Sequence, residues 1–276
     1  MKNRGMAAVY KGDWARAVRA AGLNTVQGAF ACDEGEDLHK PGLGIRRRTR
    51  LSLTGEGGAC WQAYLKRYGA EPPARQLLRR LTGGYSCPAH AELSAVRAVR
   101  QAGVPTMEAM ACGFDGNLLG ATRGYILVSA VPGESLERCG QAFLEYHAGS
   151  PERVEQLTTA LAALVRRLHA AGLVHRDLYA SHVFLHEEGE SIRLHLIDLA
   201  RVFRPRLRRF RWRVKDLAQL HYSMPPKWVR DHWQAFLERY LPEATAGERG
   251  RWRAAIERKS ERIRRRDERK ARRASA

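Results

Sequence analysis

The sequence holds no run of about 18 apolar residues, the length a helix needs to cross a bilayer, and its opening MKNRGMAAVYKGDWARAV lacks the apolar core of a secretion signal. The expectation is a chain that neither spans a membrane nor is exported, and so a cytoplasmic one. Cysteine is sparse and unpatterned: Cys32, Cys60, Cys87, Cys112 and Cys139 are odd in number, widely spaced and without a Cys-x-x-Cys pair. That argues against a disulfide framework and a cysteine-built zinc centre, and predicts reduced thiols packed as small hydrophobes. Carboxylates are in deficit, 29 against 48 lysines and arginines, which leaves a formal charge of +19. A field of that sign draws polyanions, whether nucleic acid, an anionic membrane or a phosphorylated glycolipid, and says nothing about fold. No aromatic–basic RNA-binding signature accompanies it, which argues against nucleic acid.

What is present is apolar content of 44% over 276 residues, room for two modest lobes with a shared cleft. Residues 173–201, LVHRDLYASHVFLHEEGESIRLHLIDLAR, organise the rest. The stretch opens on His175-Arg176-Asp177, enters a short apolar strand from His182 to His186, turns at Glu187 to Glu190, and returns as Ile192 to Ile197 before Asp198. Two aspartates therefore stand at the open ends of one predicted hairpin. An acidic pair so placed can hold a metal-bound polyphosphate and a substrate hydroxyl together, as phosphoryl transfer from ATP requires. Asp177 is read as the residue that accepts or orients the hydroxyl and Asp198 as the Mg²⁺ ligand.

Upstream, residues 13–21 place Trp14 and Val18 one turn apart and stop at Gly22, which predicts a short helix. Thr25 to Cys32 reads as a strand. The following segment, DEGEDLHKPGLGIRRRTR, sets Gly35, Gly42 and Gly44 among Lys40 and Arg46 to Arg48. Glycine turns let backbone N–H groups approach phosphate, so Gly42 and Gly44 are candidate nucleotide contacts, although the spacing is not Gly-x-Gly-x-x-Gly and an ordinary basic loop reads equally well. Arg48 to Leu53 and Cys60 to Tyr68 form a hairpin across Gly55-Glu56-Gly57-Gly58. Lys66 lies on its second strand between aromatic residues, where it can hold the α and β phosphates; a snorkelling surface lysine is the alternative. Glu92 is placed in the first turn of a helix over 88–101, where it can pair with Lys66 or simply favour the helix dipole. Residues 124–131 read as a strand leading to a crossing between lobes, with the backbone of Ser129 to Val131 facing an adenine. A core helix runs from Glu152 to Ala171. After Asp198 a basic stretch leads to Asp216, expected to open a helix. The 18 positions between them leave no room for a peptide-binding segment ending in Ala-Pro-Glu, so the acceptor is not an extended polypeptide. Residues from 248 onward alternate arginine clusters with glutamate, a solvated helix anchored by Trp252, Ile256 and Ile263, with docking on an anionic membrane as the alternative.

Taken together, LHKPGLGIRRRTR, YLKRY, AELSAVRAVRQAGVPT, HRDLYASHVFL and LHLIDLARV resemble the bacterial lipopolysaccharide core kinases, which phosphorylate heptose or Kdo of the inner core. The resemblance implies an α+β, two-lobed protein-kinase-like fold, with an antiparallel sheet plus a helix in an N-lobe (1–131), a mainly helical C-lobe (132–247) and a basic helical tail (248–276). It implies ATP and Mg²⁺, a lipopolysaccharide core or other glycan acceptor, and peripheral contact with the inner face of the membrane. On it, Lys66 and Glu92 form the phosphate-positioning pair, Asp177 is the catalytic aspartate, Asp198 the metal ligand and Asp216 the brace of the catalytic loop. His182 stands where protein kinases keep a metal-ligating asparagine, which leaves the number of metal ions open, because imidazole is a poor partner for a hard cation. A kinase of a soluble aminoglycoside-like sugar, or a non-catalytic polyanion-binding pseudokinase, are the competing readings.

Overall fold

The computed structural model describes residues 6–38, 46–72, 74–75, 77–78, 81, 85, 87–116 and 123–274. The chain divides into two compact units, Met1–Ala98 with Met107–Ala130, and Val99–Thr106 with Val131–Ala276.

The first unit is built on an antiparallel sheet of six strands: β1 (Met6–Val9), β2 (Glu36–Asp37), β3 (Arg46–Thr54), β4 (Cys60–Tyr68), β5 (Ala109–Asp115) and β6 (Arg123–Ser129). Their spatial order is β1-β5-β6-β4-β3-β2. The β3–β4 hairpin closes through Gly57 and Gly58, both at positive φ (73° and 81°), a pair of left-handed positions that glycine takes without a steric penalty. Alternation in β3 and β4 sends Leu51, Leu53, Ala63 and Leu65 into one core with Met110, Tyr125 and Leu127. Two short helices, α1 (Ala15–Ala20) and α2 (Val26–Ala31), close that core with Val18, Leu23, Val26 and Ala29. The opposite parity of β4 carries Lys66 and Tyr68, and both bond Glu92 of α3 (Pro88–Gln101).

The expected strand over Thr25 to Cys32 is a helix. Thr25 caps it, its Oγ1 accepting from the Gly28 N–H at 2.9 Å, and Val26 and Ala29 share the buried face at a spacing of three. Glycine is required at 28 because a Cβ there would fall 2.0 Å from the Gly22 carbonyl oxygen.

The second unit is mainly helical. Helix α4 (Leu136–Tyr146) precedes α5 (Pro151–Ala170), which buries Val154, Leu157, Leu161, Leu164, Val165 and Leu168. Gly172, at φ 74°, ends α5 by letting the Leu173 N–H turn back to the Leu168 carbonyl at 3.1 Å. A small sheet follows, β7 (Glu134–Ser135) pairing with β8 (Val183–Glu188), and β8 with β9 (Ser191–Leu196). Helices α6 (Arg209–Ser223), α7 (Pro226–Tyr240) and α8 (Ala246–Ala274) complete the unit. Trp228, Trp233, Phe236 and Leu237 of α7 are buried, and Trp228 donates its indole N–H to Thr158 of α5 at 3.2 Å. α8 packs along α6 and is anchored by Ile256, Ser260 and Ile263. Asp216 does not open a helix as expected: α6 starts at Arg209, because the buried Val214 and Trp212, packed edge-on to Phe203, give the basic stretch an apolar face.

Candidate active site

In the first unit, Lys66 and Glu92 meet. The Lys66 ammonium lies 2.5 Å from Glu92 Oε1, with the carboxylate fully buried and the lysine side chain 10% exposed. Tyr68 donates its hydroxyl hydrogen to the other oxygen, Oε2. With the helix bounds as expected, Glu92 is the fifth residue of α3 and lies just past the first turn, which holds no acidic side chain, so the helix-dipole explanation does not apply to it. Taking two charges out of water is costly unless each is satisfied, and the two oxygens of Glu92 are both engaged. At the end of β6, the Ser129 N–H donates to the Glu108 carbonyl and its hydroxyl accepts from the Glu108 N–H, both at 2.9 Å. The Ala130 N–H bonds the Gln62 carbonyl at 2.8 Å. Gly42 and Gly44 lie outside the described residues.

In the second unit, the hairpin β8–β9 does carry the two aspartates at its open ends, and a buried carboxylate organises the loop that precedes it. Asp216 accepts from the backbone N–H of His175 at 2.6 Å and of Arg176 at 2.7 Å. His169 lies 3.2 Å from the same carboxylate and, through its other nitrogen, 2.7 Å from the Tyr240 hydroxyl. Burial raises the Tyr240 phenol, which therefore stays a donor and leaves His169 Nε2–H directed at Asp216. Burial pushes the His175 imidazole down, more than the Asp216 charge lifts it, so His175 is neutral and gives its Nε2 hydrogen to the Ile197 carbonyl at 3.0 Å. Arg176 takes a φ of 71°, a strained left-handed position for a residue with a side chain. The bonds from Asp216 hold it there, Lys215 donates to its carbonyl at 2.5 Å, and its guanidinium stands 5.5 Å from the rings of both Phe203 and Trp212.

That frame delivers Asp177. One nitrogen of Arg201 reaches both its carboxylate oxygens, at 2.9 and 2.8 Å. The Asp177 backbone carbonyl accepts from His182 Nδ1 at 2.7 Å, so Nδ1 carries a hydrogen. Its Nε2 lies 3.8 Å from Asp198 Oδ2, and Asp198 itself sits in the left-handed region at φ 56°. His182 thus links the backbone of one aspartate to the carboxylate of the other. Among the described residues no three His, Cys, Asp or Glu side chains gather around a single point, so a closed protein metal site is not formed there. A magnesium ion needs no such cage: it takes one or two carboxylates and fills its shell with phosphate oxygens and water, and the Asp198 carboxylate suits that role.

Arg201 escaped the sequence reading. Its only trace there is its place three residues after Asp198, on the turn Leu199–Arg201 that the left-handed aspartate initiates. The proton-ordered chain Tyr240–His169–Asp216 was also hidden, because its members are far apart in sequence.

An antiparallel sheet with a lysine bonded to a helix glutamate in one unit, and in the other a His-Arg-Asp loop leading into an aspartate-tipped hairpin, define a protein-kinase-like fold. Within that class the chain belongs to the lipopolysaccharide kinase (Kdo/WaaP) family, whose model matches residues 44–240, as the sequence motifs imply. It is 35% identical over 140 residues to the lipopolysaccharide core heptose(I) kinase WaaP of Pseudomonas aeruginosa, covering 49% of this chain and 52% of that protein. An Escherichia coli protein of the same description is 37% identical over 140 residues, covering 48% and 51%. The chain thus spans about half the length of these curated relatives. A solved structure of WaaP in complex with acyl carrier protein superposes with a TM-score of 0.69 at 25% identity, over 94% of this chain and 99% of that one.

Proposed function

We propose that the protein transfers the γ-phosphoryl group of ATP to a sugar hydroxyl of the lipopolysaccharide inner core. Heptose is favoured over Kdo as the acceptor because the relatives are described as heptose(I) kinases. The observation that carries the reading is the buried Lys66–Glu92 pair, an expensive arrangement that phosphate binding accounts for. Lys66 holds the α and β phosphates, and Glu92 and Tyr68 fix its ammonium. The Val131 amide and the backbone beside Ser129 receive the adenine, and Gly42 and Gly44 the phosphates. Asp198 would hold Mg²⁺, with His182 Nε2 beside it, and a bound ion would supply charge neutralisation to the phosphates. Asp177 orients the acceptor hydroxyl and takes its proton as the hydroxyl oxygen bonds the γ phosphorus and the bond from that phosphorus to the bridging oxygen breaks, releasing ADP. Arg201 holds that carboxylate in place through both oxygens, while leaving lone pairs on each. Catalysis by this constellation is mainly positioning and charge stabilisation.

Partners follow the same reading. Among the described residues no helix is long and apolar enough to cross a membrane, and a charge of +19 favours peripheral contact with an anionic surface. The WaaP neighbour was solved with acyl carrier protein, and a carrier protein of that kind is a candidate partner for this chain too. Asp177→Ala and Asp198→Ala are expected to abolish phosphotransfer with the circular-dichroism spectrum unchanged; full activity in either purified variant refutes the assignment. Mass spectrometry of core oligosaccharide from cells with and without the gene is expected to show the loss of one phosphate, and transfer to a soluble aminoglycoside in place of the core would redirect the reading.

A further inference from the structure

Between α6 and α8 lies a cavity of about 480 Å³, a size typical of small-ligand sites, lined by Arg211 and Lys215 from one helix and Arg258, Lys259 and Arg262 from the other. No carboxylate lines it. α8 is not short of carboxylates in general, since residues 246–274 hold 5 of them beside 13 lysines and arginines, and two of these, Glu261 and Asp267, pair with arginines outside the cavity lining. Glu261 holds Arg264 at 2.9 Å and Arg265 at 2.8 Å, and Asp267 holds Arg266 at 3.3 Å. Among the described residues, by contrast, Arg211, Arg258, Lys259 and Arg262 have no carboxylate partner. Arg258 and Arg262 are one turn apart on the same face, a repulsive arrangement that an anion between the helices relieves.

The cavity also touches the catalytic loop. Lys215 bonds the Arg176 carbonyl at 2.5 Å, and Trp212, a further lining residue, stands 5.5 Å from the Arg176 guanidinium. Arg176 immediately precedes Asp177. A group seated between α6 and α8 is therefore next to the residue proposed to orient the acceptor hydroxyl. A recessed cavity at that place suits part of the substrate better than a flat membrane, for which the arginines of the last turns of α8 are the more accessible ridge.

We infer that this cavity binds an anionic substituent of the saccharide acceptor, a carboxylate or phosphate carried by a sugar adjacent to the one that is phosphorylated. The inference rests on the proposed kinase reading and assigns to it a second acceptor subsite. The test uses the full chain, lipopolysaccharide inner-core oligosaccharide as acceptor, and the variant Arg258→Gln/Lys259→Gln/Arg262→Gln. The acceptor KM is expected to rise at least tenfold, with kcat and the KM for ATP within twofold, and Arg258→Lys/Arg262→Lys is expected to stay near the parent. Calorimetric titration of the oligosaccharide without nucleotide should show the same weakening. Carboxyl-reduced and phosphatase-treated oligosaccharides identify the source of the anion: the treatment that removes it raises the KM of the parent protein and erases the difference between parent and variant. Should the triple variant misfold, those two acceptors tested on the parent decide alone. Equal KM and equal calorimetric affinity for charged and neutralised acceptors overturn the inference. So does a defect confined to phosphatidylglycerol vesicles or to acyl carrier protein. If no phosphate passes from ATP to any saccharide, the kinase reading fails instead, while the nucleotide-free titration still decides on the cavity.

Discussion

Glu92 satisfies two partners at once, and its neighbours show what such burial costs. Removing one member of a buried ion pair leaves the other uncompensated, so Glu92→Gln is expected to destabilise the fold by about 3 kcal/mol, measured as a lower urea midpoint at constant m-value. Replacing both charges, as in Lys66→Met/Glu92→Leu, should recover most of that stability and none of the activity, which separates a pair kept for phosphate from one kept for folding. If the double variant remains active, Lys66 does not hold ATP. Arg201 makes a different prediction. Its guanidinium touches only Asp177 among the proposed catalytic groups, so Arg201→Ala should lower kcat by roughly a hundredfold and barely change the KM for ATP. A change in the ATP KM alone would instead place Arg201 at the nucleotide.

At the scale of elements, legibility followed periodicity. The β3–β4 hairpin, α5 and the β8–β9 hairpin could be read because a single repeat of two or of three to four residues runs through each, bounded by glycine or proline. α2 could not, because six residues of Val-Gln-Gly-Ala-Phe-Ala satisfy either period and the deciding contact, the Gly28–Gly22 approach, is tertiary. Gly28→Ala is accordingly expected to cost about 2 kcal/mol or more by overpacking, and Thr25→Ala about 1 kcal/mol by loss of the cap, both measured by thermal unfolding. The junction of α6 and α8 was equally invisible. His221 of α6 lies 3.1 Å from Ser260 of α8 and edge-on to Trp233, and burial with the nearby Arg264 charge lowers its pKa to about 4. A group whose folded pKa is below its unfolded value of about 6.5 binds its proton more readily when unfolded. Stability should therefore be level above pH 6.5 and decline between pH 6.5 and 4, by of the order of 1 to 2 kcal/mol after allowance for solvent screening. His221→Gln should flatten that part of the profile, and an unchanged slope would show that other groups set it.

For the whole molecule, the candidate catalytic side chains were legible as residues before their surroundings were. Lys66, Glu92, Asp177 and Asp198 can be picked out by type and order, but Arg201 and the Tyr240–His169–Asp216 chain are joined only by folding, and no spacing announces them. Charge behaves likewise: +19 could be counted from composition, whereas the gathering of five cations around one cavity could not. The account stands or falls on phosphoryl transfer through Asp177. The most direct measurement is transfer of labelled γ-phosphate from ATP with Mg²⁺ to purified lipopolysaccharide inner-core oligosaccharide, by the parent protein and by Asp177→Asn. The expected result is steady transfer by the parent and a loss of at least a thousandfold in the variant; transfer undiminished in Asp177→Asn, or none to any core acceptor by the parent, would contradict it.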